Sequence, residues 1–159
     1  MYVKTFAGAV FGINATIITV EVDVSTGLNF YMVGLPDNAV KESQQRVESA
    51  LRINGYSLPG KKIVINLAPA DLRNEGSAYD LSIAMGILGA SGQIGNELLG
   101  QYIILGELSL DGKIQPMRGA LPIAIQARKE GFKGMIVPKA NARDAAVVND
   151  VYINGVEKI

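Results

Sequence analysis

Histidine and cysteine are both absent from the 159 residues of this chain. Without histidine the chain cannot form a Ser-His-Asp triad, and without either residue it lacks the preferred ligands of zinc. The absence of cysteine also excludes disulfides and thiol chemistry. Hydrolysis would therefore need a Ser-Lys pair, a carboxylate pair or a hard metal ion held by oxygen ligands.

Net charge and long apolar runs are missing as well. The 15 basic and 15 acidic residues balance at a formal charge of zero, whereas nucleic-acid-binding domains usually carry a basic surplus. No apolar run approaches the roughly 20 residues that a membrane-spanning helix needs. The first residues, MYVKTFAGAVFG, do not resemble a secretory signal. We therefore expect a cytoplasmic protein with no membrane partner.

The composition is that of a globular domain. Apolar residues make up 48% and charged residues 19%, proportions that allow a packed core. The length suits one domain over residues 1–159. Although there are 18 glycines, the chain has neither the P-loop pattern GxxxxGK[ST] nor a GxGxxG between a strand and a helix. We therefore expect no cofactor in this chain.

Hydrophobic periodicity predicts several strands and helices along the chain. Strands are predicted where β-branched and apolar residues cluster, over residues 13–24, 28–33, 61–67, 102–108, 113–116, 134–138 and 151–153. Helices are predicted over residues 37–54, 78–91, 119–129 and 141–148. The first two strands are expected to form an antiparallel meander, and Asp111-Gly112 predicts a hairpin.

The first and second helices differ in their apolar surface. The helix over residues 37–54 has one apolar face, formed by Val40, Ser43, Val47, Ala50 and Leu51. Asp37 is expected to cap its start, and Asn54-Gly55 to end it. The helix over residues 78–91 is apolar on nearly every side, which predicts a position deep in the core. Asn141 is the expected cap of the last helix.

Few side chains are candidates for chemistry. Ser77 is a candidate nucleophile, but a cap at the start of the second helix is the favoured interpretation. Four carboxylates are candidates for acid-base or metal chemistry, namely Glu75, Asp80, Glu107 and Asp111. Their spacing matches no known pairing and favours a solvated or capping role.

Basic residues are candidates for contacts with DNA phosphates. They are dispersed in sequence, and charged residues at the ends of strands and helices are usually solvated. The candidates for a DNA or interface surface are Lys61, Lys62, Arg73, Lys113 and Arg118, with Arg128 and Lys129 as further basic residues.

Three long stretches together resemble one family. They are VGLPDNAVKESQQRVESAL (residues 33–51), INLAPADLRNEGSAYDLSIAMGIL (residues 65–88) and ILGELSLDGKIQPMRGALPIA (residues 104–124). The chain resembles the amino-terminal, ChlI-type domain of the ComM/YifB AAA+ ATPases, which are related to magnesium chelatase. The resemblance implies an α/β (α+β), Lon-protease-like fold with a mixed sheet and packed helices, of the type seen in the second domain of ribosomal protein S-five.

The same resemblance implies a longer parent protein. An AAA+ module follows this domain in the family, so ATP and magnesium are expected there and not in this chain. The AAA+ part implies a ring, expected to be a hexamer, in which this domain contacts its own motor module and neighbouring subunits. ComM-type proteins are associated with DNA branch migration during natural transformation, which makes DNA a further expected partner.

The similarity to Lon also implies where a peptidase would carry its catalytic pair. Laying the Gly-Pro-Ser-Ala-Gly pattern of Lon on Gly76 places Ala78 at the serine position. Laying the Pro-x-Gly-Gly-x-Lys pattern on Pro116 places Leu121 at the lysine position. Neither side chain supplies a nucleophile or a base.

A shift of the first alignment by one residue would place Ser77 at the nucleophile position. The base would still be missing, because Lys113 precedes the turn proline and Arg118 stays charged. The expected role is therefore non-catalytic, with ring assembly first and DNA contact second, and with residues 35–46 and 73–79 as candidate surfaces. A Lon-like serine peptidase or small hydrolase using Ser77 is the alternative.

Overall fold

The computed structural model describes residues 1–34, 36–58, 60–69 and 78–159. The strands within these ranges are β1 (Tyr2–Phe11), β2 (Asn14–Thr26), β3 (Phe30–Val33), β4 (Lys61–Ala68), β5 (Tyr102–Ile104), β6 (Glu107–Leu108), β7 (Ile114–Gln115), β8 (Gly134–Pro138) and β9 (Tyr152–Val156). The helices are α1 (Asn38–Lys41), α2 (Ser43–Ile53), α3 (Asp80–Ala90), α4 (Ala120–Lys129) and α5 (Lys139–Ala145). A short 3₁₀ helix, Leu99–Gln101, precedes β5.

Seven strands form one mixed sheet in the order β3-β4-β2-β1-β5-β8-β9. The β1–β2 and β2–β4 pairs are antiparallel, whereas β3–β4, β1–β5, β5–β8 and β8–β9 are parallel. The predicted mixed sheet with packed helices is therefore confirmed. The first strand of the chain is the middle strand of the sheet, with three strands on each side.

The predicted meander of the first two strands is wrong in its pairing. The strand predicted over residues 28–33 forms as β3, but β4 separates it from β2. β3 runs parallel to β4, and parallel neighbours cannot be joined by a tight turn. The chain crosses from β3 to β4 through α1 and α2 instead. The antiparallel hairpin at this end of the protein is β1–β2, for which no strand was predicted over β1.

The first predicted helix is confirmed in position, cap and buried face. Asp37 caps it, with its Oδ1 accepting the Val40 N–H at 2.8 Å. The helix is interrupted at Glu42, which divides it into α1 and α2. All five residues predicted for the apolar face are buried. Gly55 follows the end of α2 with a φ of +86°, a backbone conformation that favours glycine at a helix stop.

Helix α3 lies in the core, as its all-round apolar sequence predicts. It packs against β1 and β2, and almost all of its residues are buried. A Cβ atom added at Gly86 would lie 2.5 Å from Cγ2 of Val22. The absence of a side chain at this position therefore allows the helix to approach the sheet closely.

Helices α3 and α4 cover opposite faces of the sheet. A Cβ at Gly86 would approach Thr5 on β1, whereas a Cβ at Gly8 would meet Ile123 of α4 at 2.6 Å. Side chains alternate between the two faces along a strand, so residues at odd and even positions of β1 face different helices. Both faces of this strand are therefore covered near its middle.

The strand predicted over residues 102–108 is divided at Gly106. Its first part, β5, belongs to the large sheet, and its second part, β6, pairs with β7 in the hairpin that Asp111-Gly112 predicts. Gly106 has a φ of +157°, a backbone conformation that L residues with side chains rarely adopt. Its N–H donates to the carbonyl oxygen of Ala78 at 3.0 Å, so the chain bends towards the start of α3.

The last helix starts earlier than predicted, and Asn141 is not its cap. α5 begins at Lys139, with Pro138 in the N-cap position. The Asn141 amide instead donates to the Met117 carbonyl at 2.8 Å and accepts the Met117 N–H at 3.0 Å. The hydrogen-bonding groups of this amide are therefore occupied by a distant segment, so the amide does not cap the helix. Among the described residues, no helix has the length and apolar character that crossing a membrane requires.

Candidate functional site

A buried carboxylate, Asp80, joins three segments that are far apart in sequence. Its Oδ1 accepts a hydrogen bond from Oγ of Ser43 at 2.5 Å, and its two oxygens accept Nη2 and Nε of Arg46 at 3.0 and 2.5 Å. The backbone N–H of Leu108 donates to Oδ2 at 3.0 Å. We call these four residues the Asp80 network. Each of the three family-like stretches contributes to it.

The charge state of the network reflects two opposing effects. Burial raises the pKa of the Asp80 carboxyl, whereas the hydrogen bonds from Arg46, Ser43 and the Leu108 N–H oppose that rise. The hydrogen bond to Asp80 raises the pKa of the Arg46 guanidinium above its usual range. Arg46 also donates to the carbonyl oxygen of Ala39 at 2.6 Å. The network thus fixes α2 against the start of α3.

The predicted solvated or capping role of Asp80 is wrong. The carboxylate is completely buried, and the N-cap of α3 is Tyr79, which makes no side-chain cap hydrogen bond. Of the other candidate carboxylates, Glu107 is half-buried and Asp111 is exposed. Asp111 accepts the Lys113 N–H at 3.0 Å within the hairpin turn, which agrees with a structural role.

Sequence reasoning missed Ser43 and Arg46 as partners of Asp80. One signal was present, because Ser43 is a polar residue on the otherwise apolar face of the first predicted helix. Arg46 follows it by one helical turn and so reaches the same side. Their partner lies 34 to 37 residues further along the chain, at a distance that no local pattern encodes.

Two neighbouring clefts are lined by Ala78 and Leu121, the residues that the resemblance to Lon places at the positions of the catalytic serine and lysine. The first, of about 740 Å³, is bordered by β1, by Ala78 and Tyr79 before α3, and by Met117 and Arg118 before α4. The second, of about 420 Å³, shares Met117 and Arg118 with the first and is also lined by Leu121. Ala78 and Leu121 offer no nucleophile and no base to either cleft.

Several candidate residues lie outside the described residues. These are Arg73, Glu75 and Ser77. Ser77 is both the predicted cap of the second helix and the alternative nucleophile. Lys61 begins β4, and its side chain is likewise outside the description. Within the described ranges, no group of three or more carboxylates is placed to hold a metal ion.

The remaining basic candidates each have a different environment. Lys62 is exposed, and its ammonium lies 5.5 Å from the ring centroid of Tyr31, within the range of a cation–π contact. The ammonium of Lys113 lies 4.0 Å from the Asp111 carboxylate on the exposed hairpin. Arg118 is exposed and borders both clefts.

Lys62 and Arg118 do not share one surface. Lys62 lies opposite Ser25 in the β2–β4 register, at the end of the sheet where β1 begins. Arg118 borders a cleft with Phe11, at the opposite end of β1. The sheet therefore separates Lys62 from Arg118 by nearly the length of a ten-residue strand.

Comparisons with known proteins give the family. The model of the ChlI family, subunit ChlI of Mg-chelatase, matches residues 20–141. YifB of Escherichia coli is 48% identical over 142 residues, 89% of this chain and 28% of that protein. Competence protein ComM of Haemophilus influenzae is 42% identical over 146 residues, 91% of this chain and 28% of ComM.

A more distant likeness supports the fold. The Lon protease of Halothermothrix orenii is 33% identical to this chain over 70 residues. The matched segment is 44% of this chain and 9% of that protease. The chain spans about 28% of the length of YifB and of ComM. The ChlI match includes the whole Asp80 network and most of the residues around both clefts. The chain belongs to the family of the Mg-chelatase subunit ChlI, with YifB and ComM among its relatives.

Proposed function

We propose that this chain is a non-catalytic accessory domain of a ComM-type, magnesium-chelatase-related AAA+ ATPase in the cytoplasm. Its role is to assemble the ring, expected to be a hexamer, by contacting its own motor module and neighbouring subunits. ATP and magnesium would bind to the motor module. The observation that carries the proposal is the pair Ala78 and Leu121, which leaves the two clefts without catalytic groups at the Lon-like positions.

The Asp80 network supports a scaffold role. It fastens three family-like stretches to one another in the core, and a rigid unit is suited to holding interfaces in place. A surface for a neighbour is offered by α4, where Leu121 and Ile125 are 37% and 44% exposed one turn apart. Exposed apolar residues that lie together are typical of protein contacts.

The test uses the parent protein, with and without this domain. Deletion should abolish the assembled ring in sedimentation experiments and uncouple ATP hydrolysis from work on DNA. A milder change, Ile125→Glu, should weaken assembly, whereas Arg52→Glu, at an exposed position of α2, should not. Unchanged assembly and unchanged motor function after the deletion would refute the proposal.

Contact with DNA is a second candidate function. It is favoured by Lys62 beside Tyr31, a residue that is 45% exposed, because an aromatic side chain next to a cation suits a nucleobase and its phosphate. The change Lys61→Ala with Lys62→Ala should weaken DNA binding by the assembled parent and reduce its salt dependence. Absence of binding at low salt, in both the isolated and assembled forms, would exclude this role.

A hydrolase using Ser77 is the remaining alternative. It requires that a serine-directed reagent label this chain under conditions that label an authentic Lon domain, and that Ser77→Ala abolish the labelling. Absence of labelling would remove it.

A further inference from the structure

The parallel half of the sheet is covered by helices on one face only. Strands β5, β8 and β9 are parallel neighbours at one end of the sheet, and α5 packs against β8 and β9. A Cβ atom added at Gly155 would lie 3.0 Å from Cβ of Ala142 on α5, so Gly155 faces this helix. Side chains alternate along a strand, so Asn154 and Val156 face the other side. On that side α3 covers β1 and β2, and none of the helices in the described ranges lies over β8 and β9.

A groove with an apolar lining lies along the uncovered strands, and we call it the β8–β9 groove. It consists of two adjoining cavities of about 320 and 250 Å³, with α3 as one wall. The residues that line both cavities are Met85, Ile94, Ile136 and Val156. Ile104, Ile136 and Asn154 lie opposite one another in the register of the three strands, so they form a row across the floor of the groove.

A helix is the kind of element that would cover this groove. Parallel strands are usually buried on both faces, and the elements that cover them are helices. The other face of β8 and β9 follows this rule, because α5 packs there. Ile136 and Val156 remain partly exposed, and a continuous apolar surface of this kind is typical of a contact with another element. The groove therefore fits a helix with one apolar side, packed next to α3.

The last residues of the chain lie at one end of the groove. The N–H of Ile159 donates to the carbonyl oxygen of Gly112 at 3.0 Å. The N–H of Ile114 donates to the carbonyl oxygen of Glu157 at 2.8 Å. These hydrogen bonds hold residues 157–159 beside the β6–β7 hairpin, where Ile159 lines the groove. A segment joined to Ile159 therefore starts at the groove, which gives that segment a high effective concentration there.

A positive charge lies at the same end of the groove. Lys158 is exposed and is the charged residue of the lining. It forms no ion pair among the described residues. Within the described chain no acidic side chain lines the groove, so an acidic residue of a bound helix would meet this cation and no like charge.

We propose that the β8–β9 groove binds an amphipathic helix from the motor module of the same parent chain. This inference rests on the proposed function, in which a motor module is joined to this domain. The apolar side of the helix packs on Ile136 and Val156, and an acidic residue near one end of the helix pairs with Lys158. Because α3 and α4 lie on opposite faces of the sheet, the contact with the motor module and the contact with a neighbouring subunit use different surfaces.

The test is site-specific photocrosslinking in the parent protein. Asn154 is exposed and lines the groove, and it is replaced by the photoreactive residue p-benzoylphenylalanine. We expect illumination to join position 154 to a helix of the motor module within one chain. The product should keep the mass of a single chain on a denaturing gel, and mass spectrometry of its peptides should identify the helix. Sedimentation of the same sample measures ring assembly separately.

Charge changes test the chemistry of the groove. Met85→Glu should slow crosslinking by about tenfold or more, because the bound helix would bury an unpaired carboxylate. Lys158→Glu, at an exposed position that the core does not depend on, should slow it by about threefold or more, because repulsion replaces attraction. Arg143→Glu is the matched control, since Arg143 is exposed on α5, the helix on the other face of the sheet. It should leave the rate of crosslinking within about twofold of the original.

The proposal is overturned if position 154 gives no crosslink, or if it crosslinks to a neighbouring subunit, which would double the mass of the product. It is also overturned if Arg143→Glu slows crosslinking as much as Lys158→Glu does. A ring that assembles without the crosslink overturns this inference alone. A crosslink to the motor module within one chain, in a parent that forms no ring, supports the groove contact and overturns the assembly role.

Discussion

Replacing Asp80 by alanine should strongly destabilise the protein, and the loss can be worked out from the contacts of this carboxylate. It is completely buried and accepts four hydrogen bonds. Removal of one partner of a buried ion pair typically lowers the free energy of unfolding by about 3–5 kcal/mol. The Leu108 N–H would also lose its acceptor in the interior, for which about 1–3 kcal/mol is usual.

Two features moderate the loss. The side chain of Arg46 is 16% exposed, so water reaches part of the guanidinium. Glu42 lies 3.7 Å from Nη1 of Arg46 and can accept part of the charge, although this carboxylate is exposed and such pairs contribute only up to about 1 kcal/mol. We therefore expect Asp80→Ala to lower the free energy of unfolding by about 3–5 kcal/mol in total. This is a large fraction of the roughly 5–15 kcal/mol that stabilises a typical domain.

The assay is urea-induced unfolding followed by far-ultraviolet circular dichroism, because the chain has no tryptophan for fluorescence. Asp144→Ala is the control, since Asp144 is exposed on α5 and its removal should change the free energy by no more than about 0.5 kcal/mol. The double variant with Arg46→Met should be less destabilised than the sum of the single changes, because no unpaired charge remains. A loss below about 1 kcal/mol for Asp80→Ala, or strict additivity with Arg46→Met, would refute this reasoning.

Three further outcomes follow from particular contacts, each measured by the same unfolding assay. Gly86→Ala should lower the free energy of unfolding by about 1–2 kcal/mol despite the better helix propensity of alanine, because the new methyl group meets Val22. Adding Val22→Ala should relieve the clash, and fully additive losses would contradict this. Thr5→Val should lower the free energy of unfolding by about 1–2 kcal/mol, because the Thr5 hydroxyl donates a hydrogen bond to the Ser82 carbonyl at 2.9 Å and accepts one from the Ser82 hydroxyl at 2.8 Å. Adding Ser82→Ala should recover part of this loss. If it recovers none, the hydrogen bond between the two hydroxyls does not contribute as expected. Burial raises the pKa of Asp80, so the carboxyl binds a proton more tightly in the folded than in the unfolded protein. Relative to Asp80→Asn, the unmodified protein should therefore be most stable below the ordinary pKa of the carboxyl and lose that advantage as pH rises through the raised value. A difference that grows with pH would show a lowered pKa instead.

Local patterns were sufficient for the first three predicted helices and for several strands, but not for the start and cap of α5. The apolar face of α1 and α2, the cap at Asp37 and the all-round burial of α3 are set by side chains close together in sequence. The same is true of the Asp111-Gly112 hairpin. Such features depend on periodicity and turn chemistry, which a single sequence displays directly.

The features that were missed depend on distant parts of the chain. β1 shows no clear alternation, because its position in the middle of the sheet places helices on both of its faces, and a strand buried on both sides loses the period of two. The pairing of β3 with β4 depends on the crossover through α1 and α2. The solvated role of Asp80 was predicted from the sequence of its own helix alone. The hydrogen-bond partners of Asp80 instead come from α2 and β6.

The position of β1 in the sheet also affects how the protein folds as it is synthesised. β2 follows β1 after a short turn, so their antiparallel pair can form soon after both segments leave the ribosome. The other neighbour of β1 begins only at Tyr102, and the two later strands of that half of the sheet follow it. Until β5 has been synthesised, the growing chain therefore presents a strand with one open edge, and such edges pair readily with other chains. Translation beyond β5 is what ends this period of vulnerability to aggregation.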